Sequence, residues 1–316
     1  MINVSKDREE IYNRKKLKKI VTLSLAMVCI LGSAGCSTSN KDTANKWPEK
    51  IVLAQMPNEN NPNADSQHEK FAAALSEYLG IEVGSVEGTD YTAGIEGMAS
   101  KNVDVMLVSP MSYFQAKERA NAELLVSTPT AADYKTAFIT KADRDDINSL
   151  KDLKGKTFAF VDQASSSGYL YPKAKLIKEL QLDTDKLEAN DYFFSTVAFS
   201  GGHPTSLTGV TMGDYDAAAV AKAIITQMVK AGQLKESDIK VIGETDVIPN
   251  PCYVVRGDLP QDLKDKIKEF FMTYDDESYF EAVHENKDIR FVEVTDETYT
   301  PAKEMLELLK IDMGDK

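Results

Sequence analysis

Short apolar runs alternate along this chain with longer segments of helical periodicity, and that alternation restricts it to an α/β fold. Strands are predicted at 47–55, 81–86 and 103–108. Between the first two, Phe71, Ala74, Leu75 and Tyr78 give residues 67–79 the apolar face of a helix, and Ser109 followed by Pro110 opens another. Uninterrupted apolar strands are buried on both faces, so a mostly parallel sheet covered by helices follows. A break at 128–133 precedes a strand at 134–140, and the alternation then restarts with strands at 157–161, 192–199, 216–220 and 240–242. After Pro249 and Pro251, a strand at 253–256 leads into an amphipathic helix over 260–272. The stretches 136–153 and 252–270 share a layout of strand, Asp-containing turn and helix. The repetition predicts two doubly wound lobes, 49–133 with 252–316 and 134–251, the chain crossing between them near 133–137 and 246–252. Two crossings make a hinge, and a hinge makes a closable cleft.

The first segment stands apart from this pattern. Lys6, Arg8, Arg14, Lys15, Lys16, Lys18 and Lys19 precede an apolar run at 20–31 and then small residues, as in a bacterial export signal covering 1–35. Residues 33–36, SAGC, resemble a lipoprotein processing site, with Ser33 where Leu is usual. They predict lipidation of Cys36, a polar tether at 36–48, and an extracytoplasmic protein held to the cell membrane by that lipid. An uncleaved anchor fits less well, because the run falls short of the roughly 20 apolar residues a bilayer crossing needs. The whole chain carries −13 and residues 1–35 carry +4, which leaves −17 on the remainder. Such a body argues against nucleic acid and against a basic membrane-lying surface. Cys252 is the one cysteine beyond Cys36, so no intrachain disulfide is expected, and His68, His203 and His284 lie far apart, without metal-ligand spacing. No metal or cofactor is expected.

The stretch 153–172, LKGKTFAFVDQASSSGYLYP, reads as strand, hydroxyl-rich turn and helix. Ser165, Ser166 and Ser167 sit where the helix begins, so three hydroxyls and several backbone N–H groups are available to one anion. An isolated SSSG also reads as a flexible loop or a simple cap. Ligands in open α/β sheets bind beyond the carboxyl ends of the strands, where Tyr91, Tyr113 and this turn all fall. In SGGHP at 200–204, Pro204 suits the first helical position and puts His203 at a helix N-terminus. Tyr91 and Tyr134 lie at turns and are candidate phenol donors, although packing as a half-exposed aromatic is the commoner role of a single tyrosine. Ser, His and Asp216 together invite a hydrolase reading, but no GxSxG elbow is present.

The set GTDY at 88–91, DYKT at 133–136, the 150–172 stretch, SGGH at 200–203, GDYDAAAV at 213–220 and VIPNP at 247–251 resembles the phosphonate/phosphite-binding (PhnD-type) proteins of ABC importers, in order and spacing over residues 50–274. The resemblance implies the periplasmic-binding-protein type II fold, no enzymatic activity, and a monomer that passes its ligand to an ABC permease. It also implies that Tyr91, Tyr134, Ser165, Ser166, Ser167 and His203 hold the phosphorus oxyanion. Members that bind aminoalkyl phosphonates place a Glu and an Asp where this chain has Ala223 and Asn250, so an ammonium would lack a charge partner here. A ligand-presenting sensor or adhesin of the same fold, a tyrosine and histidine iron site, and a lipid-anchored phosphoesterase are the rival readings.

Overall fold

The computed structural model describes residues 47–56, 62–88, 90–131 and 133–311; the expected leader, Cys36, tether residues 37–46 and Thr89 lie outside them. The described residues begin with β1 (Lys50–Gln55), α1 (Pro62–Leu79), β2 (Glu82–Glu87), α2 (Tyr91–Ala99), β3 (Val105–Val108), α3 (Pro110–Ala120) and β4 (Glu123–Ser127). The chain continues through β5 (Thr136–Lys141), β6 (Thr157–Phe160), α4 (Tyr171–Leu180), β7 (Thr196–Phe199), α5 (His203–Met212), β8 (Ala217–Ala221), α6 (Lys222–Lys230) and β9 (Ile239–Glu244). It returns with β10 (Cys252–Val255) and ends in α7 (Gln261–Thr273), α8 (Glu277–His284) and α9 (Thr300–Leu308).

Two five-stranded sheets result, ordered β2-β1-β3-β10-β4 and β7-β6-β8-β5-β9. Each has one strand antiparallel to both neighbours, β10 in the first and β5 in the second. The cause is topological. Every strand reached through a crossover helix points its carboxyl end at the cleft, whereas a strand that has just crossed from the other lobe starts at the cleft and must run away from it. The shared layout seen at 136–153 and 252–270 therefore marks equivalent strands of two related lobes. The crossings run side by side, with Ile248 N–H donating to Tyr134 O at 2.8 Å and Thr245 N–H to Thr136 O at 3.0 Å.

In the first lobe, Phe71 of α1, Tyr253 of β10, Phe270 and Phe271 of α7, and Tyr279 and Phe280 of α8 form one aromatic cluster with Phe291. It packs Tyr279 of α8 against α1 and β10, with Phe280 against Phe291. Asp104 adds a buried polar tie: its Oδ1 accepts from Arg256 Nη2 at 2.7 Å and its Oδ2 from Val52 N–H at 2.8 Å, joining β1 to the end of β10. Burial pushes the Cys252 thiol up to about 12, in keeping with a structural residue.

Several elements depart from the sequence reading, and α8 and α9 have no counterpart in it. β4 was not foreseen, because it begins two residues after Asn121 ends α3 in a left-handed conformation (φ 49°), with no Gly or Pro to mark the turn. The strand expected at 192–199 is shortened to β7, because Phe194 stacks on Phe158, centroids 4.6 Å apart, and is spent on packing rather than pairing.

Candidate functional site

A cavity of about 300 Å³ lies between the carboxyl ends of the two sheets. The first lobe contributes Met56 after β1, Tyr91 opening α2, and Ser127 and Thr128 ending β4; the second contributes Ser167 after β6, His203 after β7 and Ala221 ending β8. Tyr134, Asn250 and Pro251 line it from the crossings. The expected residues Tyr91, Tyr134, Ser167 and His203 thus share one chamber.

Its second-lobe wall is built from the backbone up. Residues 166–170 form a single π-helical turn, an element that recurs at functional sites. Gly168 is required there: a Cβ at that position would stand 2.3 Å from Val161 Cβ, and Gly168 O accepts from Val161 N–H at 3.0 Å, which seats the turn on the end of β6. Thr136 Oγ1 donates to Ser167 O at 2.7 Å and holds the same turn from β5. Ser167 Oγ then lies 3.3 Å from both Tyr134 Oη and His203 Nε2.

His203 is the first residue of α5, with Gly202 as the extended N-cap and Pro204 in the second helical position, one place later than the sequence suggested. Ala221 N–H donates to His203 Nδ1 at 3.0 Å. Burial lowers this imidazole to about 4, so it is neutral at physiological pH, and because Nδ1 accepts, the ring proton belongs on Nε2. The ring therefore presents a neutral donor toward Ser167 and the cavity.

The three serines do not converge as the turn alone implied. Ser165 Oγ accepts from Gly168 N–H at 3.0 Å and caps the turn. Ser166 Oγ donates to Ser109 Oγ at 3.1 Å and accepts Met111 N–H at 2.8 Å, both at the start of α3 in the other lobe. Ser109 and Ser112 hydroxyls also donate to Ala164 O. One hydroxyl faces the chamber, one caps the turn, and one clasps the lobes together. Tyr113 points elsewhere and bonds Asp296. Asp216 is likewise structural, accepting from Arg144 and from Thr157 N–H on strand β6.

No Lys or Arg lines the chamber among the described residues; its carboxylates, Asp133 and Glu285, are exposed, and Glu285 pairs with Lys230. The remaining wall includes Met56, Leu107, Ala223, Ile224, Val283 and Phe291, with Thr226, Gln227, Tyr253 and His284 as polar interruptions. Ala223 and Asn250 both face it, and Asn250 is occupied: its Nδ2 donates to Thr128 Oγ1 and to Pro129 O, each at 2.9 Å. Sequence reasoning missed Ser109, Ser112, Gln227 and His284, whose roles depend on which lobe faces which. The chamber suits a small oxyanion held by uncharged donors, with room beside it for an uncharged substituent.

A family model described as ABC transporter, phosphonate, periplasmic substrate-binding protein matches residues 53–299. The phosphate-import protein PhnD of Mycolicibacterium smegmatis is 33% identical over 262 residues, 80% of this chain and 81% of that protein. The phosphonates-binding periplasmic protein of Escherichia coli is 30% identical over 224 residues, 68% of this chain and 63% of that protein. Among solved structures, PhnD1 of Prochlorococcus marinus in complex with methylphosphonate superposes with a TM-score of 0.72 at 22% identity, covering 83% of this chain and 98% of that one, which shows the shared two-lobed fold. This chain belongs to the phosphonate-binding family of periplasmic substrate-binding proteins of ABC transporters.

Proposed function

We propose that the protein captures a phosphonate, phosphite or phosphate in the interlobe chamber and delivers it to an ABC permease, acting as a monomer tethered to the membrane by a lipid on Cys36. Closure brings residues 49–133 and 252–316 onto 134–251. Tyr91, Tyr134, Ser167 and His203 donate to the ligand oxygens, and Ser165 and Ser166 join them by rotating their hydroxyls from their present partners toward the anion. The observation that carries this reading is Ser167 Oγ lying 3.3 Å from both Tyr134 Oη and His203 Nε2 in a chamber lined by no Lys or Arg among the described residues. Charge-assisted hydrogen bonds of this kind contribute about 1.5 to 3 kcal/mol each, enough for micromolar affinity after the costs of closure. Relatives named for phosphate import and for phosphonate binding support this ligand class. Ala223 and Asn250 argue against 2-aminoethylphosphonate, since neither offers a buried ammonium a carboxylate and the two carboxylates of the chamber, Asp133 and Glu285, are exposed.

A thermal-shift panel of phosphite, phosphate, methylphosphonate, 2-aminoethylphosphonate and sulfate tests it. A ligand present at a thousand times its Kd stabilises by about 4 kcal/mol, on the order of 10 °C for a chain this size. Stabilisation by none of the phosphorus oxyanions would refute the proposal.

A further inference from the structure

The donors of the anion site occupy one part of the chamber, and α6 extends its wall beyond them. His203 is held by the N–H of Ala221, the last residue of β8, and α6 starts at the next residue. Ala223, Ile224, Thr226 and Gln227 line the chamber from this helix, and Ala223 and Gln227 lie one turn apart on the same face. The six residues from Ala221 to Gln227 advance about 9 Å along the axis, and Cα–Cβ bonds in a helix tilt toward its N-terminus, so the Gln227 side chain leans back toward the anion donors. With about 3 Å taken by a hydrogen bond at each end, a short substituent spans the interval. Gln227 is half-buried, and its amide makes no hydrogen bond among the described residues. Neither atom of that amide is sealed within the protein, whereas His284 Nε2 is. One turn further on, Lys230 pairs with Glu285, which follows α8 in the first lobe, so the two charges beside Gln227 satisfy each other. An open and unpartnered amide thus stands between the anion donors and a closed ion pair.

We propose that Gln227 is a specificity-determining residue: its amide hydrogen-bonds an uncharged polar group, a hydroxyl above all, on the substituent of a phosphonate whose oxyanion rests on Ser167 and His203. The inference rests on the ligand class proposed above. Ser167, His203 and Gln227 follow β6, β7 and β8, strands of one sheet, so their spacing does not depend on how far the cleft is closed. An amide suits a hydroxyl because each both donates and accepts. An alkyl end of the same size would displace water from the amide without replacing its hydrogen bonds. An ammonium fits less well, because Glu285 is already paired and Asp133 is exposed. The preferred ligands are then hydroxyalkylphosphonates, ahead of alkylphosphonates of the same length.

Calorimetry on the full-length protein with 2-hydroxyethylphosphonate, its isostere propylphosphonate, methylphosphonate and 2-aminoethylphosphonate tests this. The Kd of propylphosphonate divided by that of the hydroxyl ligand is expected to be about fivefold higher in wild type than in Gln227→Leu, with methylphosphonate affinity the same in both within about twofold. Gln227→Glu keeps the shape and adds a charge, and it should tighten 2-aminoethylphosphonate about tenfold relative to the hydroxyl ligand, a gain that a merely structural role would not produce. An unchanged ratio in Gln227→Leu, an equal loss of methylphosphonate binding in that variant, no gain for the amino ligand in Gln227→Glu, or tightest binding of 2-aminoethylphosphonate by wild type would each overturn the proposal. Methylphosphonate binding without these changes removes only the role of Gln227. Failure of wild type to bind any of the four overturns this inference, and if phosphite and phosphate also fail to bind, the proposed function falls with it.

Discussion

His203 has two jobs on two ring nitrogens, and two substitutions separate them. Nδ1 accepts the buried Ala221 N–H at 3.0 Å, and Nε2 points at Ser167 and the chamber. His203→Ala removes both functions. It strands the Ala221 N–H, at a cost of about 1 to 3 kcal/mol in stability, and it deletes one ligand donor worth about 1.5 to 3 kcal/mol in binding. His203→Asn places Oδ1 close to the position of Nδ1, so the Ala221 bond survives, but it does not reach as far as Nε2. The expected result is a Kd for the tightest phosphorus oxyanion raised about 10- to 150-fold in both variants, with the urea midpoint lowered substantially only in His203→Ala. Calorimetry and urea melts at pH 7.5, where the wild-type ring is neutral, read the two effects separately. If His203→Asn binds as tightly as wild type, Nε2 is not a ligand donor and the assignment of the trio fails, whatever the melts show.

Burial lowers His68, His203 and His284 each to about 4, below the usual histidine range, so the unfolded chain binds more protons as pH falls. Stability is therefore fully present above about pH 6.5 and declines toward 4, with a slope approaching 4 kcal/mol per pH unit in the middle of that window; a melting temperature that stays flat from pH 7 to 5 would contradict it. Arg256→Met leaves the Asp104 carboxylate buried without its cation and should cost about 3 to 5 kcal/mol in urea unfolding, against which a loss below 1 kcal/mol would count. Ser112→Ala removes a hydroxyl that bonds Ala164 O across the lobes, so the ligand-free protein should show a larger radius of gyration by X-ray scattering and a Kd raised about fivefold. Identical scattering profiles would show that the clasp does not hold the lobes closed.

The fold was legible because its signals are local. Strands such as β3 and β8 are buried on every residue and read as unbroken apolar runs, and Ser109 with Pro110 and Gly202 with Pro204 mark helix starts whatever packs around them. The reversed strands β5 and β10 were foreseeable only as a repeated layout; their direction follows from where the chain re-enters each lobe. In the chamber, Tyr91, Ser167 and His203 stood out because each follows a strand end, where an open α/β sheet places ligands. The partners of Ser165 and Ser166 were not legible, since a hydroxyl takes whichever neighbour the approaching lobe supplies. His284 was hidden for the same reason: it sits at the end of a helix whose sequence shows only amphipathicity, and the aromatic cluster around Phe280 and Phe291 brings it to the cleft.

On the reading proposed above, the lack of a lysine or arginine in the chamber wall among the described residues has a mechanical consequence. An anion paired with a buried cation feels an attraction that falls only as the inverse of distance, so opening the lobes by a few ångströms would leave much of the binding intact. Hydrogen bonds weaken steeply once donor and acceptor separate beyond about 3.5 Å. The donors here are divided between lobes, with Tyr91 on one and Ser167 and His203 on the other. Opening therefore removes part of the donor set at once and admits water to the rest. The acidic exterior does little to oppose entry, because exposed charges more than about 8 Å away are largely screened. A site built from neutral donors binds firmly when closed and releases when opened, and for a protein that must surrender its ligand to a permease, release matters as much as capture.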